Sequence, residues 1–331
     1  MKIEVGRFQF ILKATEPILL PPYKGSTLRG GFGTAFRRVV CVMKGKECAQ
    51  CMLKGTCVYS YVFETPPPED TKIMRKYKAA PHPFIIEPPA ETKRDYQPGD
   101  TITFGLTLIG KAIHYLPYFI YTFDELGKTG LGKGRGKGRG SFELKTVLNH
   151  GSGVDASDGG SAIYDSATRT LNRFDTHTLT IGPIIFDNPA STPSAMTLNF
   201  LTPTRISYNS RITENIEFHM IVRNLLRRFS LLSYFHGNGE AGPEIDFKKV
   251  IEKAKTVKIA SKRLHRYDWE RYSGRQEQRI DMGGFVGKIS FEGPVTPFVP
   301  LLKAGEVLHI GKSTVFGLGR YGIKGADNVT V

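Results

Sequence analysis

Acid is what this chain is short of. Its 331 residues include 31 Asp and Glu against 46 Lys and Arg, a formal net charge of +15, and the isoelectric point is about 9.6. Such a deficit points to an anionic partner, nucleic acid or a membrane surface, set against the plain alternative of a basic solvated surface. Long apolar runs are missing as well. No stretch approaches the ~20 residues a spanning helix needs, which weakens the membrane reading. The opening Met1-Lys-Ile-Glu-Val-Gly-Arg is charged and strand-like, so no signal peptide is expected. Cysteine is sparse, with four residues all between positions 41 and 57. A disulfide scaffold would use more and spread them, so a reducing cytoplasm is expected.

What remains is glycine, cations and ordinary apolar content. The 40% hydrophobic share and the length suit two globular domains with cores of their own. Glycine and charge concentrate near the end, from His309 to Gly322. Four glycines, two cations (Lys312, Arg320) and two rings (Phe316, Tyr321) fall within those fourteen residues. Turning backbone, positive charge and flat faces suit single-stranded nucleic acid. Gly311-Lys312-Ser313 imitates a phosphate-binding P-loop, but that motif needs glycine where Glu306 stands and a helix afterwards. Glycine-rich sequence follows instead, so an NTPase is excluded.

A second such segment is Gly127 to Gly140, with seven glycines, five cations and no acid. A flexible linker needs no alternating Lys and Arg, so this reads as a basic loop between a helix and a strand. Apolar periodicity supplies the elements around both loops. Alternation predicts strands over 3–20, 58–63, 84–86, 101–109, 142–148, 176–186, 197–206 and 284–291, and another from Val257. Helical periodicity predicts helices over 25–40, 112–126, 214–235, about 246–256 and 297–304. Gly30, Gly31 and Gly33 lie inside the first helix and imply either very close packing or an irregular turn. Residues 149–172 read as a mobile surface insertion.

Each half therefore runs strand, helix, strand, strand, helix, basic glycine loop, strand. The expected fold is α+β, two tandem ferredoxin-like (βαββαβ) domains with a C-terminal glycine-rich loop. The boundary falls in 188–194, giving domains 1–190 and 191–331. Cys41, Cys48, Cys51 and Cys57 follow a C-x6-C-x2-C-x5-C spacing, which can close a tetrahedral structural zinc site. The alternative is scattered small hydrophobes.

The second half resembles the RAMP proteins of CRISPR systems. Within them it is similar to the repeat-processing endoribonuclease family (Cas-six type). The residues that carry this are Gly283 to Gly287, Gly293, Leu308 to Lys312 and Phe316 to Gly319. Tyr272-Ser273-x-Arg275-Gln276 and Thr202 to Arg205 carry it too. The resemblance implies cutting of CRISPR precursor RNA within its repeats, without a catalytic metal. The ribose 2′-OH attacks the adjacent phosphate, leaving a 2′,3′-cyclic phosphate and a 5′-OH. It also implies partners: the repeat RNA and other subunits of CRISPR complexes.

That reaction needs a proton acceptor, a proton donor and cations on the developing charge. Many family members place a histidine near the first helix of the N-terminal domain, but residues 21–40 contain none. Lys24 and Arg29 are the candidates there, with His265 and His309 elsewhere and His82 a weaker option between prolines. Candidate RNA ligands are Lys133, Arg135, Lys137 and Arg139 on the first loop, and Arg271, Arg275 and Arg279 before the strand at 284. On the terminal loop they are Gly311, Lys312, Gly317, Gly319 and Arg320. Two alternatives to the nuclease stay open, a RAMP subunit that binds CRISPR RNA without cutting and a zinc-stabilised general nucleic-acid-binding protein.

Overall fold

The structure is a computed structural model that describes residues 1–67, 79–134, 138–151, 160–182, 194–237, 245–273 and 278–325. The chain divides into two units. The N-terminal unit is residues 3–178 with 234–238, and the C-terminal unit is residues 1–2, 179–233 and 239–331. Most of the expected boundary, residues 188–193, lies outside the described residues.

The first half contains strand β1 (Lys2–Ala14), strand β2 (Ile18–Leu19), helix α1 (Gly25–Val40), strand β3 (Phe84–Glu87) and strand β4 (Asp95–Tyr96). Strand β5 (Thr101–Ile109), helix α2 (Leu116–Thr129), strand β6 (Phe142–Asn149), strand β7 (Ser161–Asp165) and strand β8 (His177–Thr180) follow. The central sheet has the order β3-β5-β1-β6-β7 with antiparallel neighbours. Alternation along β1 buries Phe8, Phe10 and Leu12 on one face, as a half-buried strand requires. Against that face lies an aromatic core. The Phe32 ring stacks on Phe119 at 4.7 Å, Phe36 at 5.0 Å and Phe123 at 5.2 Å.

Two of the three glycines of α1, Gly31 and Gly33, are answered by close packing, while Gly30 faces open space. Helix α1 is continuous from Gly25. A Cβ at Gly33 would stand 2.8 Å from the Phe63 ring, so glycine is what lets that ring reach the helix. Phe63 itself corrects one expectation. The alternation over 58–63 predicts a strand, yet Ser60–Glu64 is a short helical stretch. Packing of Tyr59 and Phe63 against Phe36 outweighs the strand preference of β-branched and aromatic residues. The surface insertion expected over 149–172 also contains β7, paired with β6.

The C-terminal unit contains strand β9 (Ser194–Thr204), strand β10 (Ile206–Tyr208), strand β11 (Arg211–Thr213) and helix α3 (Phe218–His236), the last residues of which fall in the other unit. Then come helix α4 (Phe247–Ala254), strand β12 (Lys258–Tyr267), strand β13 (Glu270–Ser273), strand β14 (Gln278–Asp281), strand β15 (Gly284–Gly293), helix α5 (Val299–Leu308) and strand β16 (Tyr321–Lys324). The sheet order is β12-β15-β9-β16, antiparallel throughout. The α3 stripe of Phe218, Ile221, Val222, Leu225 and Phe229 is buried with Leu198, Ile289 and Phe291 of the sheet, which is the expected amphipathic pattern. Asp246 caps α4 by accepting from the Lys249 N–H at 3.0 Å. The β10–β11 hairpin was not anticipated. Its two-residue turn, Asn209-Ser210, has φ of +47° and +66°, the primed geometry that glycine usually supplies.

Candidate nucleic-acid interface

The terminal glycine segment is seated in residues 202–205 by a run of backbone bonds. Thr202 Oγ1 donates to the Gly317 carbonyl at 2.8 Å and accepts from the Arg320 N–H at 2.9 Å. The Gly319 N–H donates to the Pro203 carbonyl, and the Lys312 N–H donates to the Arg205 carbonyl at 3.0 Å. Gly319 has φ +75°, and a Cβ there would fall 1.8 Å from the Ile310 carbonyl oxygen. Only glycine meets both demands. Arg228 holds the entry to the segment. Its Nε donates to the Leu308 carbonyl at 2.6 Å, and burial pulls its guanidinium down to about 10. Arg205 latches the far side, donating to the Gly283 carbonyl at 2.7 Å.

The consequence differs from the expectation of exposed rings and amides. Phe316 and Tyr321 are buried. The Tyr321 hydroxyl donates to the Leu302 carbonyl, and burial raises its pKa well above the usual phenol range. The Gly317 and Gly319 N–H groups are bonded within the fold. Phe316 offers its face to protein, since the Arg271 guanidinium lies 4.8 Å from its centroid. Burial lowers the pKa of that guanidinium. Side chains, not backbone, are what this segment presents outward: Lys312 is exposed and Arg320 half-buried.

At the opposite edge of the sheet from β16, β12 is an edge strand exposed along most of its length. It carries Lys258, Lys262, Arg263, His265 and Arg266, and cations on an edge also discourage strand pairing. Arg266 is taken by carboxylates, pairing with Glu214 and Asp268 at 2.5 Å. His265 is exposed. Arg279 on β14 is exposed and approaches Glu270 only at 3.7 Å, a separation worth little in solvent. Arg275 lies outside the described residues.

In the N-terminal unit the described flanks of the basic loop are seated by backbone pairing. Leu131 and Gly140 pair across it, and Lys133 pairs with Leu19 of β2. Lys133 and Arg139 are exposed, and Arg135 and Lys137 lie outside the described residues. Lys24 is buried at the start of α1. Its ammonium donates to the Glu91 carbonyl at 2.7 Å and reaches the Pro22 carbonyl at 3.4 Å, and burial lowers its pKa. The Arg29 guanidinium lies 4.7 Å from the Phe63 centroid. His309, in the other unit, is buried with Nδ1 3.1 Å from the Leu318 carbonyl. Of the eight histidines only His265 and His114 are exposed, and His82 is half-buried. His114 was overlooked because no motif surrounds it, and only burial distinguishes it.

Residues 198–321, which hold the glycine segment, its seat and β12, match the family described as CRISPR-associated endoribonuclease Cas6. Residues 198–321 are thus a Cas6-type region. Residues 3–176 match a second family, AF_1859_N, described as an N-terminal domain. An uncharacterized protein of Archaeoglobus fulgidus is 23% identical over 311 residues, covering 92% of this chain and 93% of its own length. A Cas6 product complex superposes with a TM-score of 0.54 at 15% identity, over 97% of this chain and 100% of that one. A partial Cas6-RT-Cas1–Cas2 complex gives 0.54 at 13% identity, over 99% of this chain but 47% of that one. At these identities the likeness shows a shared α+β Cas6 fold.

The four cysteines are half-buried free thiols. Their segment is tied to α1 where Arg37 donates to the Lys46 carbonyl at 3.2 Å. Burial pushes the Cys48 thiol up, and Glu64, Cys41 and Cys57 add to the rise while Arg37 opposes it. The donor chemistry suits zinc, but among the described residues no three His, Cys, Asp or Glu side chains form a metal-binding group. No helix among them is long and apolar enough to cross a membrane.

Proposed function

We propose that this chain binds the repeat RNA of CRISPR transcripts and cuts it by attack of a ribose 2′-OH on the neighbouring phosphate. The reading rests on one observation above all: the residues matched to the Cas6 endoribonuclease family present exposed cations (Lys312, Arg263, Arg279) along with an exposed imidazole, His265. The cations contact phosphates, and hold the strand in line for attack. His265 is the candidate of the C-terminal unit with both a proton-transfer group and access to solvent, and His114 is its counterpart in the N-terminal unit. We read each unit's sheet as a ferredoxin-like βαββαβ arrangement, the N-terminal one extended by β7. The four-Cys segment would take a structural zinc ion through movement of its thiols, to be checked by metal analysis of the purified protein.

Binding without cutting is favoured by a separate observation. Helix α1 offers no imidazole, and the Lys24 ammonium is bound to backbone carbonyls. One assay divides the two. Purified protein in EDTA is given a repeat-containing RNA and the same RNA with a 2′-deoxy group at the cut site. Cleavage of the first alone, weakened in His265→Ala or His114→Ala, supports the nuclease. Tight repeat binding with both RNAs intact supports the binding subunit. Equal affinity for unrelated RNA removes the CRISPR reading.

A further inference from the structure

A cavity of about 460 Å³ opens in the C-terminal unit between α3, the β10–β11 hairpin and the terminal glycine segment. That size lies within the ~300–1,000 Å³ of small-ligand sites. Arg223 and Arg227 line it from α3, Lys312 from the glycine segment, and Tyr208, Asn209 and Ser210 from the hairpin. No carboxylate lines it. Arg223 and Arg227 stand one helical turn apart, a like-charged pair that costs the helix a few tenths of a kcal/mol. The Arg223 guanidinium lies 5.8 Å from the Tyr208 ring centroid, so a planar cation and an aromatic face stand together at the wall. The adjoining turn keeps two non-glycine residues at positive φ, a strain that persists where the surroundings impose it.

We propose that this cavity binds a nucleotide bearing a phosphomonoester, the phosphorylated end of an RNA strand. This rests on the RNA-binding reading above and extends it to a specific seat. Three cations with no acid match a phosphomonoester, which carries about −1.5 to −2 at neutral pH, better than the single charge of an internal phosphodiester. Arg223 and Arg227 supply planar forks for phosphate oxygens and Lys312 a point charge. Tyr208 supplies a face for the base. The same chemistry would admit a free nucleoside monophosphate.

The test measures equilibrium binding of short single-stranded RNAs that differ only in their ends: 5′-phosphate, 3′-phosphate, or hydroxyl at both. Adenosine 5′-monophosphate, adenosine 3′-monophosphate and adenosine are titrated alongside. Arg223→Ala and Arg227→Ala are compared with the unaltered protein, both sites being exposed and so tolerant of substitution. A phosphorylated end is expected to tighten binding about tenfold, and each variant is expected to lose that advantage while keeping most of its affinity for the hydroxyl-ended RNA. Equal affinity for all ends, or an advantage that survives in both variants, overturns the cavity site and leaves RNA binding standing. If no RNA binds, the functional reading above fails on its own. In that case, binding of a monophosphate but not adenosine, abolished by Arg223→Ala, keeps the site with free nucleotide as its source, and no monophosphate binding ends it.

Discussion

Residues 127–140 and 309–322 are both glycine-rich and cationic, yet they end in opposite environments. The first is held by backbone pairing to Leu19 and across its own base, and it leaves Lys133 and Arg139 in solvent. The second is drawn into the fold from Thr314 to Gly319, its amides and rings engaged by residues 202–205, Arg271 and Leu302. The difference lies in what each segment meets. Leu19 offers the first loop one strand edge, whereas Thr202, Pro203 and Arg205 offer the second a sequence of matched donors and acceptors. Glycine serves the second loop chiefly as a folding device, and its RNA contacts fall to a few side chains.

The sharpest break of that contrast is Gly319→Ala. Positive φ and collision with the Ile310 carbonyl act together, and a loss of about 3–5 kcal/mol is expected, read as a fall in the C-terminal unit's thermal midpoint of about 2–4 °C per kcal/mol. A near-native midpoint would mean the segment is not anchored as described. Thr202→Val comes next. It removes one donor and one acceptor from the seat, costing about 1–3 kcal/mol, and Thr202→Ser should recover most of it in chemical denaturation.

Acid gives a smaller effect of known sign. Burial holds the imidazoles of His150, His177 and His219 below their usual pKa. Below the unfolded value of about 6.5 the unfolded chain therefore binds more protons, and stability falls as pH drops. Two of these residues belong to the N-terminal unit, which should lose more stability on going from pH 7.5 to pH 5.5 by scanning calorimetry. A midpoint that rises over that interval would contradict the burial of these rings. The smallest structural effect is expected for Lys133→Ala combined with Arg139→Ala. Stability should change by about 0.5 kcal/mol or less, while the salt dependence of RNA binding should flatten by about one unit per cation removed. Unfolding caused by the pair would show that the exposed loop is as structural as the buried one.

Legibility followed the same division. Strand β1 and helices α1 and α3 were readable because a single apolar face imposes its period on the chain. The stretch at 58–63 was not, since Val, Tyr and Phe fit a strand equally well until Phe32 and Phe36 are present to receive them. The β10–β11 hairpin escaped because Asn209-Ser210 lacks the glycine that marks such a turn. Among candidate site residues, Lys24 and His309 carry the right chemistry but are buried, while His114 carries no motif and is exposed.

From residue order alone follow the basic charge, the strand–helix periodicity and the places where backbone must turn sharply, because these depend on composition and spacing along one chain. Exposure of a cation, the seating of a glycine segment and the gathering of Arg223, Arg227 and Lys312 around one cavity depend on elements far apart in sequence. Packing decides these, because burial and hydrogen bonding are settled by whatever neighbour the fold delivers.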